Sequence, residues 1–197
     1  VVARKLSEQG FPVSVIFVEG SPTTPDAIEN EGRLPKSVDR ISVQAFLEPR
    51  LDAFPGPFSG IIVDAIYGTG FHGDLQPKAA KAIEWINHFG KMVVSLDLPS
   101  GLSGDMCNTD PVPPLCVKAT HTIVFHRPKP VHMCVSAQPF LGKITLADSG
   151  IRVPGIVHAA ADRRFFGRLG CHVICEERII GQTLFETFYT FNKNREL

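Results

Sequence analysis

The sequence predicts an α/β fold in which a mostly parallel sheet carries helices on both faces. Short runs rich in Val, Ile and Leu lack polar alternation, which is typical of strands buried on both sides of a sheet. Segments whose apolar residues recur at helical spacing separate these runs along the chain. Strands that alternate with helices in this way favour a parallel sheet joined by crossover connections.

The first fifty residues contain two predicted helices and two predicted strands. Apolar residues share one face of residues 1–9, and Gly10 suits the position that follows a helix end. A second helix is expected to begin near Pro25, where Thr24 can cap an acidic first turn. Between and after these helices, strands are predicted over residues 13–18 and 41–46.

After a Pro- and Gly-rich loop at residues 54–57, the alternation continues. Apolar side chains at helical spacing predict a helix over residues 77–89, which Gly90 ends. A stretch rich in Pro, Asp and Asn predicts a loop over residues 105–115. Strands are predicted over residues 60–65, 92–96, 121–125 and 143–147.

Composition restricts the function classes. With 197 residues, 44% of them hydrophobic, the chain can bury one sizeable core. A formal net charge of zero argues against nucleic acid as a partner, and no apolar run is long enough to predict a membrane span. Five cysteines, an odd number, fit a reducing compartment better than a disulfide framework. We therefore expect an intracellular protein.

Two acidic residues mark the candidate site. Asp64 and Asp97 each lie at the end of an apolar run that opens into a glycine-containing loop, VDAIYGTGFHGD at residues 63–74 and SLDLPSG at residues 95–101. Ligands of parallel sheets bind beyond the carboxyl ends of the strands, so we expect both carboxylates to meet in one crevice. The loop glycines allow backbone amides to approach an anionic ligand closely. These features predict a nucleotide site.

Five ordered motifs resemble the N-terminal YjeF domain, the NAD(P)H-hydrate epimerase family. They are VVARKL at 1–6, VDAIYGTG at 63–70, DLPSGL at 97–102, FHRPKP at 125–130 and GKITLADSGI at 142–151. The resemblance covers about three-quarters of the chain, residues 1–151, and implies a three-layer Rossmann-like domain. Residues 152–197 form a C-terminal extension to which the resemblance gives no role.

The resemblance implies an isomerase for cofactor repair, which interconverts the R and S forms of hydrated NADH or NADPH. It implies potassium as cofactor, with Asp64 and Ser100 as ligands, and Asp97 as the substrate-binding carboxylate, which we take as the catalytic acid and base. Further expectations are a companion NAD(P)H-hydrate dehydratase and a homodimer. The expected location is the cytoplasm, or the mitochondrion if an upstream targeting segment is present. The implied substrate-binding loop consists of Gly68, Thr69, Gly70, Phe71, His72, Gly73 and Asp74.

The residues by themselves leave simpler interpretations open. Asp97 and Asp64 can be turn-formers that bond nearby backbone N–H groups, and the glycine spacing can be a tight turn without a ligand. Lys129 can reach a phosphate, although a lysine in an extended Pro segment is more often solvated. His72 is more often a bystander than a base.

Compared with the family pattern, this chain begins after a strand and a glycine-rich loop that carries one potassium ligand. We therefore expect a domain that lacks its first strand and that loop, a truncation that can impair activity. The alternative is a non-catalytic YjeF-type module that binds nucleotide or protein. An ordinary NAD-dependent dehydrogenase is disfavoured, because the GxGxxG spacing at residues 68–73 does not open the predicted helix, which begins at residue 77.

Overall fold

A computed structural model describes residues 1–47 and 58–149. The helices are α1 (Val2–Glu8), α2 (Pro25–Gly32), α3 (Val43–Leu47), α4 (Pro77–Phe89), α5 (Pro130–Met133) and α6 (Gln138–Leu141), with a 3-10 helix at Val135–Ala137. The strands are β1 (Ser14–Phe17), β2 (Asp39–Ser42), β3 (Phe58–Asp64), β4 (Gly90–Leu96), β5 (His121–Phe125) and β6 (Lys143–Ala147). Within these ranges, no helix has the length and apolarity that a membrane span requires.

The described residues divide into two compact units. Residues 1–47 and 75–82 belong to the first, in which β1 pairs with β2 in parallel. Residues 58–74 and 83–149 belong to the second, which holds a parallel sheet of order β3-β4-β5-β6. Both sheets are flanked by helices, which confirms the α/β class. The sequence predicted one sheet, but in the part of the chain that is described no strand joins β2 or β1 to β3.

Helix α4 and strands β5 and β6 occupy the residues that the sequence predicted, and β1, β3 and β4 agree within two residues. The predicted strand over 41–46 is wrong after Ser42, because α3 begins there. The Ser42 hydroxyl accepts a hydrogen bond from the Ala45 N–H at 3.2 Å, which is an N-cap contact that favours a helix. Thr24 occupies the N-cap of α2 as expected, but its side chain makes no capping hydrogen bond.

The core of the second unit lies between its sheet and the segment that leads from α5 to α6. Its buried residues are contributed by the loop after β4, by β5, by the α5–α6 segment and by β6. They include Leu98, Leu102, Met106, Cys116, Val124, Val131, Cys134, Ala137, Leu141 and Ile144. This packing fixes the loop after β4, where the predicted site residues lie.

Two glycines are required by close backbone approach. Helix α4 passes into β4 without a connecting residue, and a Cβ atom on Gly90 would lie 2.6 Å from the carbonyl oxygen of Ile86 and 2.7 Å from Val93 Cγ2. Gly142 has φ +59°, and a Cβ atom there would lie 2.2 Å from the carbonyl oxygen of Thr120. No side chain fits at either position without movement of the backbone.

Some predictions fall on residues 48–57 and 150–197, which lie outside the described residues. These are the loop at residues 54–57 and the C-terminal extension at 152–197, including its cysteines.

Candidate active site

Asp64 is the last residue of β3 and is 1% exposed. It lies in register with Ser95 on the neighbouring strand β4. Its Oδ2 accepts hydrogen bonds from the Ser95 hydroxyl at 2.7 Å and from the Ser100 N–H at 2.9 Å. Its Oδ1 accepts one from the Ser100 hydroxyl at 2.5 Å. The structure thus joins two of the sequence-predicted residues, Asp64 and Ser100, directly.

Burial raises the pKa of Asp64, and the hydrogen bonds from Ser100 and Ser95 oppose this effect. None of the ion pairs among the described residues includes this carboxylate. Asp64 is therefore a buried acid whose negative charge, when present, is stabilised by dipoles and not by a basic side chain.

Ser100 also connects the two loops of the site. Its hydroxyl accepts a hydrogen bond from the Tyr67 N–H at 2.9 Å and lies 3.4 Å from the Tyr67 carbonyl oxygen. The hydroxyl that donates to Asp64 thus also holds the start of the loop after β3. This neighbourhood presents carboxylate, hydroxyl and carbonyl oxygens, which are the ligand types that hard cations prefer. Among the described residues, no group of three or more His, Cys, Asp or Glu forms a metal cluster.

The predicted substrate loop, residues 68–74, is a loop in the structure and is largely exposed. The Phe71 N–H donates to the carbonyl oxygen of Gly68 at 3.0 Å, which closes a turn. The rings of Tyr67 and Phe71 stack at a centroid distance of 4.5 Å. Sequence reasoning missed this stacked pair, which organises the loop around its glycines.

Asp97 follows β4 and has a positive φ of 69°, which is uncommon for a residue with a side chain. Its carboxylate Oδ1 accepts a hydrogen bond from the Phe125 N–H at 3.0 Å and forms an ion pair with Lys129 Nζ. The Asp97 side chain is 15% exposed and that of Lys129 24% exposed. The backbone carbonyl of Asp97 lies 2.8 Å from Nε2 of His132. Asp97 is therefore a restrained carboxylate at the molecular surface.

Lys129 and His132 were not predicted from the sequence as partners of Asp97. Lys129 was predicted only as a phosphate ligand or a solvated side chain, and neither interpretation includes an acidic partner 32 residues away. The available signal was the spacing of Lys129 and His132 around Pro130, which begins α5 and places the two residues in one helical turn.

The two acids are held by different groups. Asp64 bonds within the β3–β4 edge and the turn at Ser100, whereas Asp97 bonds to β5 and to the segment before α5. The second unit also has a cavity of about 220 Å³, lined by Met106, Cys107, Asn108, Pro130, Met133 and Cys134. None of the predicted site residues lines this cavity.

Comparisons with known proteins place this chain beside one family. The family model described as "YjeF-related protein N-terminus" matches residues 1–131. A protein of Thermofilum pendens named "Bifunctional NAD(P)H-hydrate repair enzyme Nnr" is 35% identical over 136 residues, which cover 66% of this chain and 24% of that protein. A protein of Leuconostoc citreum named "NAD(P)H-hydrate epimerase" is 29% identical over 156 residues, covering 78% and 64% of the two chains.

The crystal structure of yeast ynu0 is similar in fold, with a TM-score of 0.58 and 19% identity, and the match covers 91% of this chain and 68% of the yeast chain.

Proposed function

This chain belongs to the YjeF-related N-terminal family, and from that premise we propose that it is an isomerase that interconverts the R and S forms of hydrated NADH and NADPH. The observation that carries the proposal is the family match over residues 1–131, which includes both acids and the loop between them. The two relatives named above are, by their names, a bifunctional repair enzyme and an epimerase for this hydrate. Because the chain spans only 24% of the length of the Thermofilum pendens relative, its own activity requires a direct test.

In this proposal Asp97 transfers the proton. Its carboxyl group gives a proton to the C6 hydroxyl of the hydrated ring, and the C6–O bond breaks as the N1 lone pair forms an N1=C6 double bond. Water then adds to C6 from the opposite face, returns a proton to Asp97 and returns the electron pair to N1. No electrons are gained or lost overall, and one restrained carboxyl group serves as acid and then as base.

A potassium ion is the proposed cofactor at Asp64 and Ser100. The residues present fit such an ion, because Asp64 is a buried carboxylate that no described basic side chain neutralises, and the Ser100 hydroxyl and the Tyr67 carbonyl supply further oxygens. When bound, the ion would offset negative charge at the carboxyl end of β3. Asp64, Ser100 and the Tyr67 carbonyl are the groups that would hold it.

The loop at residues 68–74 is proposed to bind the phosphate and ribose region of the substrate. Its largely exposed residues and three glycines suit an anionic ligand. We further propose that the S hydrate passes to an NAD(P)H-hydrate dehydratase, the second activity that such a repair requires. A homodimer and a cytoplasmic location stay predictions.

The decisive experiment measures recovery of reduced cofactor. The full 197-residue chain is incubated with R-enriched hydrate and a dehydratase specific for the S form, with and without potassium. We expect recovery faster than spontaneous epimerisation allows, and a loss of about 100-fold or more in the Asp97→Asn variant. Recovery at the spontaneous rate would contradict the enzyme proposal. If NADP also fails to shift thermal unfolding, a module that binds protein becomes the better interpretation.

A further inference from the structure

Both backbone groups and one carboxylate oxygen of Asp97 are held in place. Its N–H donates to the carbonyl oxygen of Ile123 at 2.8 Å, and Oδ1 receives both the Phe125 N–H and the Lys129 ammonium. No hydrogen bond from a described residue reaches Oδ2. The carboxylate therefore has one restrained oxygen and one oxygen available to a ligand, in a side chain that is partly exposed.

His132 connects Lys129 to Asp97 through both ring nitrogens. The Lys129 N–H donates to Nδ1 at 2.8 Å, so Nδ1 must carry its lone pair. The ring hydrogen then lies on Nε2, which donates to the Asp97 carbonyl oxygen at 2.8 Å. His132 is 2% exposed, and burial lowers its pKa, in agreement with a neutral ring. One buried imidazole thus restrains the backbones of both members of the ion pair.

The ammonium of Lys129 is restrained in turn by the carbonyl oxygen of Phe125, to which it donates at 2.9 Å. Phe125 therefore holds the pair from both sides, because its N–H bonds to the carboxylate and its carbonyl bonds to the ammonium. The arrangement fixes the orientation of one carboxyl group.

We propose that Lys129 and His132 are positioning residues for Asp97, and that they hold Oδ1 so that Oδ2 is the oxygen that exchanges a proton with the hydrated ring. This inference rests on the proposed epimerase function. Lys129 acts through the carboxylate, and His132 acts through the backbones of Lys129 and Asp97. Misplacement of a reacting group by about 1 Å can lower a rate about 100-fold, so loss of either contact is expected to affect kcat more than KM.

The first test compares Lys129→Ala with Lys91→Ala, a matched change at an exposed lysine on β4 outside the site. We expect Lys129→Ala to lower kcat about 100-fold with KM nearly unchanged, and Lys91→Ala to behave as wild type. Added ethylammonium should partly restore kcat in Lys129→Ala only, because it supplies the missing cation to an otherwise intact site. Full activity in Lys129→Ala, or a loss that ethylammonium does not restore in a folded variant, would overturn the proposal.

The second test separates the two bonds of His132. The amide oxygen of His132→Asn can accept from the Lys129 N–H, and the amide NH₂ of His132→Gln can donate to the Asp97 carbonyl. Each variant keeps one bond, so both should retain more kcat than His132→Ala. Equal kcat in all three variants and in wild type would overturn the role of His132.

A third measurement does not depend on activity. Long-range ¹H–¹⁵N spectra report the imidazole tautomer, and His132→Asn identifies the resonance. Hydrogen on Nε2 is expected, and hydrogen on Nδ1 would overturn the inference. An inactive wild-type chain would reject the epimerase function and this inference together, whereas an active wild type with an equally active Lys129→Ala would reject the positioning role alone.

Discussion

Replacement of Ser100 by Ala tests the hydrogen-bond network of the candidate cation site. The change deletes one hydroxyl that donates to Asp64 Oδ1 at 2.5 Å and accepts from the Tyr67 N–H at 2.9 Å. Because Ser100 and Asp64 are both buried, water cannot readily replace the lost donor. The variant therefore leaves a buried carboxylate with weaker stabilisation and a loop N–H without its acceptor.

The expected loss in the free energy of unfolding follows from these two bonds. A hydrogen bond to a charged group contributes about 1.5–3 kcal/mol, and the loss of a partner for the half-buried Tyr67 N–H costs about 1 kcal/mol. The sum is about 2–4 kcal/mol. Urea unfolding followed by the fluorescence of Trp85, the single tryptophan, measures the free energy of unfolding of the unit that contains both Trp85 and Ser100. Ser103→Ala, on the same loop, is the control, and a loss below about 1 kcal/mol for Ser100→Ala would refute the reasoning.

The same variant makes a prediction about pH. A carboxyl group whose pKa is raised by folding stabilises the folded state at pH values below 3.8, the pKa of the unfolded chain. That contribution is lost as the pH rises through the pKa of the folded state. The Ser100 hydroxyl is the largest of the contacts that lower the pKa of Asp64. Its removal should raise that pKa further, so Ser100→Ala should cost more near pH 7 than near pH 4. A cost that is independent of pH would contradict this account.

Three further predictions concern other parts of the molecule. Potassium chloride should raise the unfolding temperature more than choline chloride at equal ionic strength, and Asp64→Asn should abolish the difference; equal midpoints in wild type would argue against a cation site. Gly142→Ala should destabilise by about 3 kcal/mol or more in urea unfolding, because of its positive φ and the close carbonyl oxygen, whereas Gly32→Ala, with nothing within 4 Å, should change stability by less than about 1 kcal/mol. Alkylation followed by peptide mass mapping should label exposed Cys107 before Cys116, since burial raises the pKa of Cys116 to about 11; equal rates would contradict the burial.

The sequence predicts the central elements well, because their signals are local. Residues 121–125 and 143–147 are apolar runs bounded by turn residues, and the structure has β5 and β6 at the same residues. The short elements were not predictable in this way. Helices α5 and α6 have four residues each, which is too short for a helical period to show, and α3 depends on one serine cap.

The positions of the two acids in the fold were predictable from the sequence, and their contacts were not. A strand that ends in an acid places that acid at the carboxyl edge of the sheet, and this located Asp64 and Asp97. The ion pair of Asp97 with Lys129 depends on how β5 and the following turn return to the end of β4. That return is a property of the tertiary structure, and no periodicity along the chain encodes it.

The junction at Gly90 limits how this chain can vary over time. Every other amino acid carries a Cβ atom, which would overlap the last turn of α4, so no substitution at Gly90 preserves the packing. A residue inserted after Met92 is excluded as well, since it would shift the rest of β4 by one position against β3 and turn its buried side chains to the opposite face. Changes that preserve the packing of this stretch are therefore confined to the side chains beside the glycine.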